Sequence, residues 1–220
     1  MRAASSLIAT TVLAFGTSTT FGAQSTPTAF VGSLISIAEI ECESGDTVDP
    51  ATGDILTTIC MDALYQATYR VEKVLEGKLI VGSEVTFSVA DHYGFPKFAE
   101  QKRALLFLAE HQGRYFHIKY QWVPVYRTNE GDFAQCGCDT GDDSEESQSN
   151  RNVHSGCRAL SFSPAVTQDL THSSQYFIDK IRSEADYRIE GNHAVCARGV
   201  GVENVYRQLR PHLMEVINAR

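Results

Sequence analysis

Positive charge is scarce in this chain of 220 residues. Lys and Arg together number 19 against 27 Asp and Glu, which gives a formal net charge of −8 at pH 7. Proteins that bind nucleic acid without sequence preference neutralise its phosphates with Lys and Arg. The charge balance therefore argues against a nucleic-acid partner, and for the same reason against attachment to an anionic membrane surface.

The sequence also lacks a segment suited to a permanent membrane anchor near its start. The apolar stretch at residues 7-15 is shorter than the roughly 20 residues that a spanning helix needs. It follows Arg2 and precedes small residues, which is the pattern of a secretory signal peptide. We predict that residues 1-23 are a cleaved signal peptide and that the mature protein is secreted or periplasmic, with no membrane anchor.

Recognisable catalytic motifs are missing as well. The sequence contains no G-x-S-x-G elbow, no H-E-x-x-H helix and no Walker loop. We therefore predict a non-catalytic protein with no catalytic residues, no metal and no cofactor. The alternative is an exported, hydrolase-like enzyme with an unfamiliar site, either around Asp91 and His92 or in the region between Cys136 and Cys157.

Six cysteines are present, and all of them follow the predicted signal peptide: Cys42, Cys60, Cys136, Cys138, Cys157 and Cys196. An even number of cysteines in an exported chain predicts disulfides, here three. Cys42 and Cys60 flank a turn-forming insertion between two predicted strands, so a bridge between them is geometrically reasonable.

The other four cysteines allow more than one interpretation. Cys136 and Cys138 are too close in sequence to pair easily with each other, so we expect them to reach Cys157 and Cys196 in an order left open. Together with His154, the thiols of Cys136, Cys138 and Cys157 could instead hold zinc. Oxidation competes with metal for thiolates outside the cell, which favours the disulfides.

Five segments have the composition of β-strands. Residues 65-71 and 83-89 alternate apolar and polar side chains, whereas residues 103-109 form a short apolar run typical of a strand buried on both faces. The first strand is predicted at residues 29-42, with a bend at Gly32, and the last begins at residue 114 and ends near Pro124. We predict a β-meander core within a five-stranded Greek-key barrel of the oligonucleotide/oligosaccharide-binding (OB) type over residues 28-126; a sandwich is the alternative.

Within residues 28-125 the chain resembles the netrin-like module that is shared with the N-terminal domain of tissue inhibitors of metalloproteinases. The matching stretches are residues 29-32, 69-77, 82-87 and 103-108. The resemblance implies a closed five-stranded barrel and a binding or inhibitory role towards a protein partner. The inhibitors of that family chelate zinc through a mature N-terminal cysteine, and residues 24-28 contain none, so we expect no inhibition of zinc proteases through the N-terminus.

Beyond the predicted barrel, the composition changes twice. Residues 127-156 are predicted to be an acidic loop or linker. Its carboxylates at residues 139-146, and a second cluster at Asp46, Asp49 and Asp54, could bind a cation such as calcium, but solvated loops are the favoured interpretation. Residues 157-220 are predicted to be helical, with one helix from about residue 164 to 184 and a second pattern, over residues 202-217, kinked or divided at Pro211.

One strand and one loop supply the candidate binding surface. Tyr120, Trp122 and Tyr126 are spaced in phase along the last predicted strand, and could form a stacking platform for sugars or bases. Packing within the core is the ordinary alternative for such residues. Asp91 and His92, in the loop after the third strand, complete the candidate surface, on which we expect another protein to bind.

Overall fold

The computed structural model describes residues 27–42, 45–48, 52, 55–58, 60–138, 156–183 and 185–219. The predicted signal peptide and both predicted acidic clusters lie outside the residues that are described in full. Along the chain the elements are β1 (Pro27–Ile40), β2 (Gly45–Val48), β3 (Ile55–Thr58), β4 (Ala63–Glu76), β5 (Glu84–Asp91), a short 3-10 helix (Lys97–Glu100), β6 (Ala104–His111), β7 (Arg114–Pro124), β8 (Tyr126–Arg127), β9 (Phe133–Cys136), β10 (Arg158–Ala159), β11 (Thr167–Asp169), α1 (Gln175–Ser183), β12 (Tyr187–Glu190), β13 (His193–Cys196), β14 (Arg198–Gly201) and α2 (Val202–Asn218).

Five of the strands form a closed ring in the order β1-β4-β5-β7-β6. These are the five strands predicted from the sequence, and the ring is not the sandwich that was the alternative. The predicted meander is only partly right. After β5, the chain crosses through the 3-10 helix so that β6 pairs with β1 and β7 and not with β5. β5 pairs with β7 instead, in parallel, at Phe87 and Ser88.

The interior of the ring is aromatic and aliphatic, as strand alternation requires. The predicted core residues Tyr69, Val71, Phe87 and Leu106 are 0%, 1%, 2% and 0% exposed, which confirms the alternation inferred for β4 and β5. Phe98 of the 3-10 helix is also buried and lies against Tyr69 and Phe87, with ring centroids 6.0 Å and 6.4 Å away. The connection between β5 and β6 therefore contributes to the core at one end of the ring.

The C-terminal part packs on the outer face of the ring. Leu105 and Phe107 of β6 point away from the interior and share a cluster with Val205 and Leu213 of α2, which explains why the whole run at residues 104-108 is buried. The phenol ring of Tyr206 stacks on Phe107 with the centroids 6.1 Å apart. Burial of both faces is therefore what makes β6 a continuous apolar stretch.

Ion pairs and hydrogen bonds from residues of β4 also hold the C-terminal part against the ring. Glu76 accepts hydrogen bonds from Arg210 of α2 at 2.8 and 3.0 Å and from the hydroxyl of Tyr206. Lys73 donates to Asp132, at 2.6 Å, in the turn between β8 and β9. Because these pairs lie at the edge of an apolar contact, they fix its register while the buried side chains supply most of the stabilisation.

The C-terminal segment differs from the predicted pair of helices. Residues 158-201 contain five short strands, and the helix predicted from about residue 164 forms only at Gln175–Ser183. Thr167–Asp169 is a strand that pairs with β13, and the side-chain oxygen of Ser174 accepts a hydrogen bond from the backbone N–H of Phe177, which caps α1. The second helix is continuous from Val202 to Asn218 through Pro211, so the predicted division does not occur.

The predicted linker is also more ordered at its start than its composition indicated. Residues 126-136 contain β8 and β9, which join β14 and β10 in a four-stranded sheet. The turn-forming insertion after β1 contains a second unpredicted feature, the hairpin of β2 and β3. Both regions are rich in turn-forming residues, whose propensity for loops is outweighed here by pairing with a neighbouring strand.

All six cysteines are paired. Cys42 is bonded to Cys60, Cys136 to Cys196, and Cys138 to Cys157. The structure confirms the first predicted bridge and resolves the order that the sequence left open for the other four. None of the helices in the described ranges is long and apolar enough to cross a membrane.

Candidate binding site at one end of the ring

A large bulge in β7 shapes the end of the ring at which β5 terminates. His117 lies opposite Leu108 and Trp122 opposite Leu106, so residues 118-121 of β7 face only Phe107 across the strand pair. The ring nitrogen Nε2 of His117 lies 3.0 Å from the backbone carbonyl oxygen of Gln121 and closes the bulge. Such bulges redirect side chains that would otherwise follow the alternation of the strand.

Tyr120 sits in this bulge with a backbone φ of 64°. This left-handed conformation is uncommon for a residue with a large side chain and costs free energy that the surrounding contacts must offset. Its consequence is that the phenol ring points outward and is 46% exposed. The Nζ atom of Lys119 lies 5.2 Å from the centre of this ring.

The loop after β5 brings two more rings to the same place. The carboxylate of Asp91 accepts a hydrogen bond from the backbone N–H of Tyr93 at 2.9 Å, which forms the tight turn that projects the next side chains. Tyr93 is 83% exposed and Phe95 is 50% exposed. The rings of Tyr93 and Tyr120 lie beside each other, tilted by 40°, with their centroids 5.6 Å apart.

A pocket of about 190 Å³ opens between the loop and the bulge. We call it the aromatic pocket, and it is lined by Asp91, Tyr93, Phe95, Lys97, Phe98, His117, Tyr120 and Trp122. All of these residues except Asp91 and Lys97 carry an aromatic ring. The pocket is therefore apolar over most of its wall, with two side chains of opposite charge.

His117 contributes the most deeply buried polar group of the aromatic pocket. Its side chain is 7% exposed, and its ring lies 4.7 Å from that of Phe98 and 6.3 Å from that of Phe87, measured between centroids. Burial disfavours the charged imidazolium and lowers the pKa of His117 to about 4, although the hydrogen bond to Gln121 acts in the opposite direction. The ring is therefore neutral at pH 7.

The tautomer of His117 follows from its hydrogen bond. A backbone carbonyl oxygen can only accept, so Nε2 must carry the single proton of the neutral ring and donate it to Gln121. Nδ1 is then unprotonated and is an acceptor. The aromatic pocket thus contains a buried ring that has one nitrogen engaged in the bulge and a second nitrogen able to accept a hydrogen bond.

Charged groups beside the aromatic pocket tie the bulge to the start of β4. Lys119 donates to both carboxylate oxygens of Asp62 at 2.7 Å. This hydrogen bond lowers the pKa of Asp62, while burial acts the other way, and the same contact raises the pKa of Lys119. Lys119 is one of the bulge residues 118-121, so the ion pair also holds the backbone of the bulge in place.

His92 lies beside this ion pair and not in the wall of the aromatic pocket. Its Nδ1 is 2.9 Å from the carbonyl oxygen of Met61 and 3.4 Å from Asp62, and its ring meets that of Tyr93 edge-on. These are a hydrogen bond, an ion pair and a ring contact. The arrangement orients the loop after β5.

The structure brings together three of the residues that the sequence singled out. Asp91, Tyr120 and Trp122 line the aromatic pocket, and His92 is next to it. Tyr126 lies elsewhere: it belongs to β8 and packs edge-on against Phe162 of the C-terminal part, with the centroids 6.1 Å apart. The bulge breaks the alternation on which the predicted common face of Tyr120, Trp122 and Tyr126 depended.

Five lining residues were not predicted as site residues: Tyr93, Phe95, Lys97, Phe98 and His117. The aromatic residues in the sequence Tyr93-Gly-Phe-Pro96 gave a usable signal, because rings in a Gly- and Pro-rich turn cannot follow a strand into the core. No sequence signal marked His117, because its burial depends on the register between β6 and β7.

The thiols considered as zinc ligands are engaged in disulfides. Cys138, Cys157 and Asp186 lie close together, but the two sulfurs are bonded to each other. The carboxylate of Asp186 accepts a hydrogen bond from the backbone N–H of Cys138 at 2.8 Å. His154 lies outside the described residues. This cluster therefore stabilises the chain around β9 as a covalent crosslink.

A comparison with known proteins finds no matching family model, no matching curated protein and no matching solved structure.

Proposed function

We propose that the protein is an exported, non-catalytic binding protein that holds a protein partner at the aromatic pocket. The observation that carries this proposal is the convergence of three exposed rings, those of Tyr93, Phe95 and Tyr120, around one cavity. Clustered exposed aromatic side chains mark interaction sites, and Tyr, Trp and Phe are enriched in the parts of interfaces that carry most of the binding energy.

The local backbone supports a functional role for these rings. Tyr120 is held in an unfavourable left-handed conformation by the bulge, the His117 hydrogen bond and the Lys119 ion pair. Strained residues that the surroundings fix in this way cluster at binding and active sites. A rigid aromatic ring also loses little conformational entropy when a partner covers it, which favours affinity.

The fold and the location form part of the same proposal. Numbered within the ring, the strands follow the order first, second, third, fifth and fourth, with the third and fifth parallel. This order is expected for a Greek-key barrel of the OB type, and it supports the resemblance to the netrin-like module. The three disulfides, together with the signal-peptide pattern at residues 1-23, support export.

The start of the mature chain is an unsuitable place for the partner. Residues 27-32 at the beginning of β1 are buried between β4 and β6, and residues 24-28 carry no cysteine that could chelate a protease's zinc. We therefore place the partner at the aromatic pocket and expect no inhibition of zinc proteases through the N-terminus.

Capture of extracellular proteins on the immobilised mature chain tests the proposal. The site variant combines Tyr93→Ser with Tyr120→Asn, because Asn tolerates the left-handed conformation that position 120 requires. The matched control is Tyr176→Ser, since Tyr176 lies on α1 and is 81% exposed, close to the 83% of Tyr93. Both variants should retain a melting temperature close to that of the wild type, because Tyr93 and Tyr176 are 83% and 81% exposed and Asn tolerates the backbone conformation at position 120.

A true partner should be retained by the wild type and by the control, and its affinity should fall at least tenfold for the site variant, as is typical when central aromatic residues of an interface are truncated. A partner that binds all three proteins equally well would show that the aromatic pocket is not the binding site.

A further inference from the structure

We propose that the aromatic pocket receives a tyrosine side chain of the partner protein, with the phenol ring between the aromatic walls and its hydroxyl donating a hydrogen bond to Nδ1 of His117. This inference rests on the proposed function and specifies the group that the partner inserts.

The size of the pocket limits the ligand. At about 190 Å³ it is smaller than the roughly 300–1,000 Å³ of sites that take drug-sized molecules. It suits one ring from a larger partner. The aromatic walls favour a flat apolar ring, because aromatic pairs gain from edge-on and offset contacts in addition to the burial of their surface.

His117 indicates that the inserted ring must carry a hydrogen-bond donor. The side chain is 93% buried, since only 7% is exposed, yet it lines the cavity. Its Nε2 is used by the bulge, so the structural role of the residue is fulfilled without Nδ1. A ligand that supplies a donor to Nδ1 gains a hydrogen bond in a largely apolar setting.

Tyrosine meets both requirements. Phenylalanine has the ring but no donor, and would cover Nδ1 without satisfying it. Tryptophan has a donor, but its indole is bulkier and carries the N–H on its side, whereas the tyrosine hydroxyl lies at the tip of a single ring. A sugar ring carries hydroxyls on all sides, and the charged side chains among the lining residues of the pocket are those of Asp91 and Lys97.

A nuclear magnetic resonance titration of the mature protein with three small probes tests the inference. The probes are N-acetyltyrosinamide, N-acetylphenylalaninamide and methyl glucopyranoside. We expect the tyrosine derivative to bind about fivefold more tightly than the phenylalanine derivative, the usual effect of one added hydrogen bond. Only the tyrosine derivative should shift the ¹⁵N resonance of Nδ1 in His117. The Tyr176→Ser control should bind the probes like the wild type.

The outcomes separate this inference from the proposed function. If both amino-acid derivatives bind equally and the Nδ1 resonance does not move, or if neither binds, the tyrosine inference is wrong, while the capture experiment still decides whether a protein partner uses the pocket. If the glucoside binds most tightly and shifts the amides of residues 117-122, a sugar is the ligand, and both the inference and the proposed protein partner are overturned. Since these readouts use the wild type, they do not depend on a foldable His117 variant.

Discussion

Protonation of His117 should destabilise the protein between about pH 6.5 and pH 4. Burial lowers the pKa of this side chain from 6.5 to about 4 in the folded state. The unfolded chain therefore binds a proton in this interval that the folded chain does not, and the free energy of unfolding falls as the pH falls. One pKa unit corresponds to about 1.4 kcal/mol, so the full loss is about 3 kcal/mol, of which about 2 kcal/mol has occurred by pH 5.

Urea unfolding of the mature wild type and of His117→Phe at several values between pH 7.5 and pH 5 measures this effect. Phenylalanine at position 117 can still pack against Phe98 but cannot titrate, so the difference in unfolding free energy between wild type and variant should change by about 2 kcal/mol over this range. His111→Gln, which alters an exposed histidine at the end of β6, should keep the pH dependence of the wild type. Parallel curves for wild type and His117→Phe would refute the reasoning. Direct titration of the His117 ring by nuclear magnetic resonance gives the same answer if the variant does not fold.

Two further predictions concern the parts that hold the chain together. Leu213→Ala should lower the free energy of unfolding by about 2–5 kcal/mol, because Leu213 is fully buried where α2 packs on the ring; a loss under about 1 kcal/mol in urea unfolding would contradict this packing. Thiol titration of the denatured, unreduced protein should find no reactive thiol, because all six cysteines are paired, and two or more thiols per chain would show that one bridge is absent.

The strands of the ring could be predicted because local patterns encode them. Alternation at residues 65-71 and the apolar run at residues 103-109 report directly on which faces are buried. The pairing of β5 with β7 was missed because it depends on where the connection at residues 92-103 crosses the end of the ring. Nothing in the pattern of either strand records that route.

The helix predicted from residue 164 shows how a misleading pattern arises. Leu170 and Ile181 do share a buried cluster, as their helical spacing indicated. They reach it from a loop and a shorter helix, however, because the backbone carbonyl of Val166 accepts a hydrogen bond from Cys196 and the chain pairs with β13 before α1 begins. Spacing alone cannot distinguish one continuous helix from two segments brought together by a neighbouring strand.

The candidate binding site was predictable to the extent that it depends on composition. Tyr120, Trp122 and Asp91 stood out as aromatic and turn residues, and they do lie together. The bulge that turns Tyr120 outward and removes Tyr126 from the same face is set by the register between β6 and β7, which requires the pairing of distant residues. The contribution of His117 to the pocket depends on the same register, so the sequence pattern alone did not predict it.

Amide hydrogen exchange of the mature protein, alone and with the captured partner bound, tests the central claim most directly. If the partner occupies the aromatic pocket, the amides at residues 91-98 and 117-122 should exchange more slowly in the complex, while those of α1 should be unchanged. Protection confined to α1 and residues 187-201, with the pocket segments unaffected, would place the partner on the C-terminal part and contradict the account.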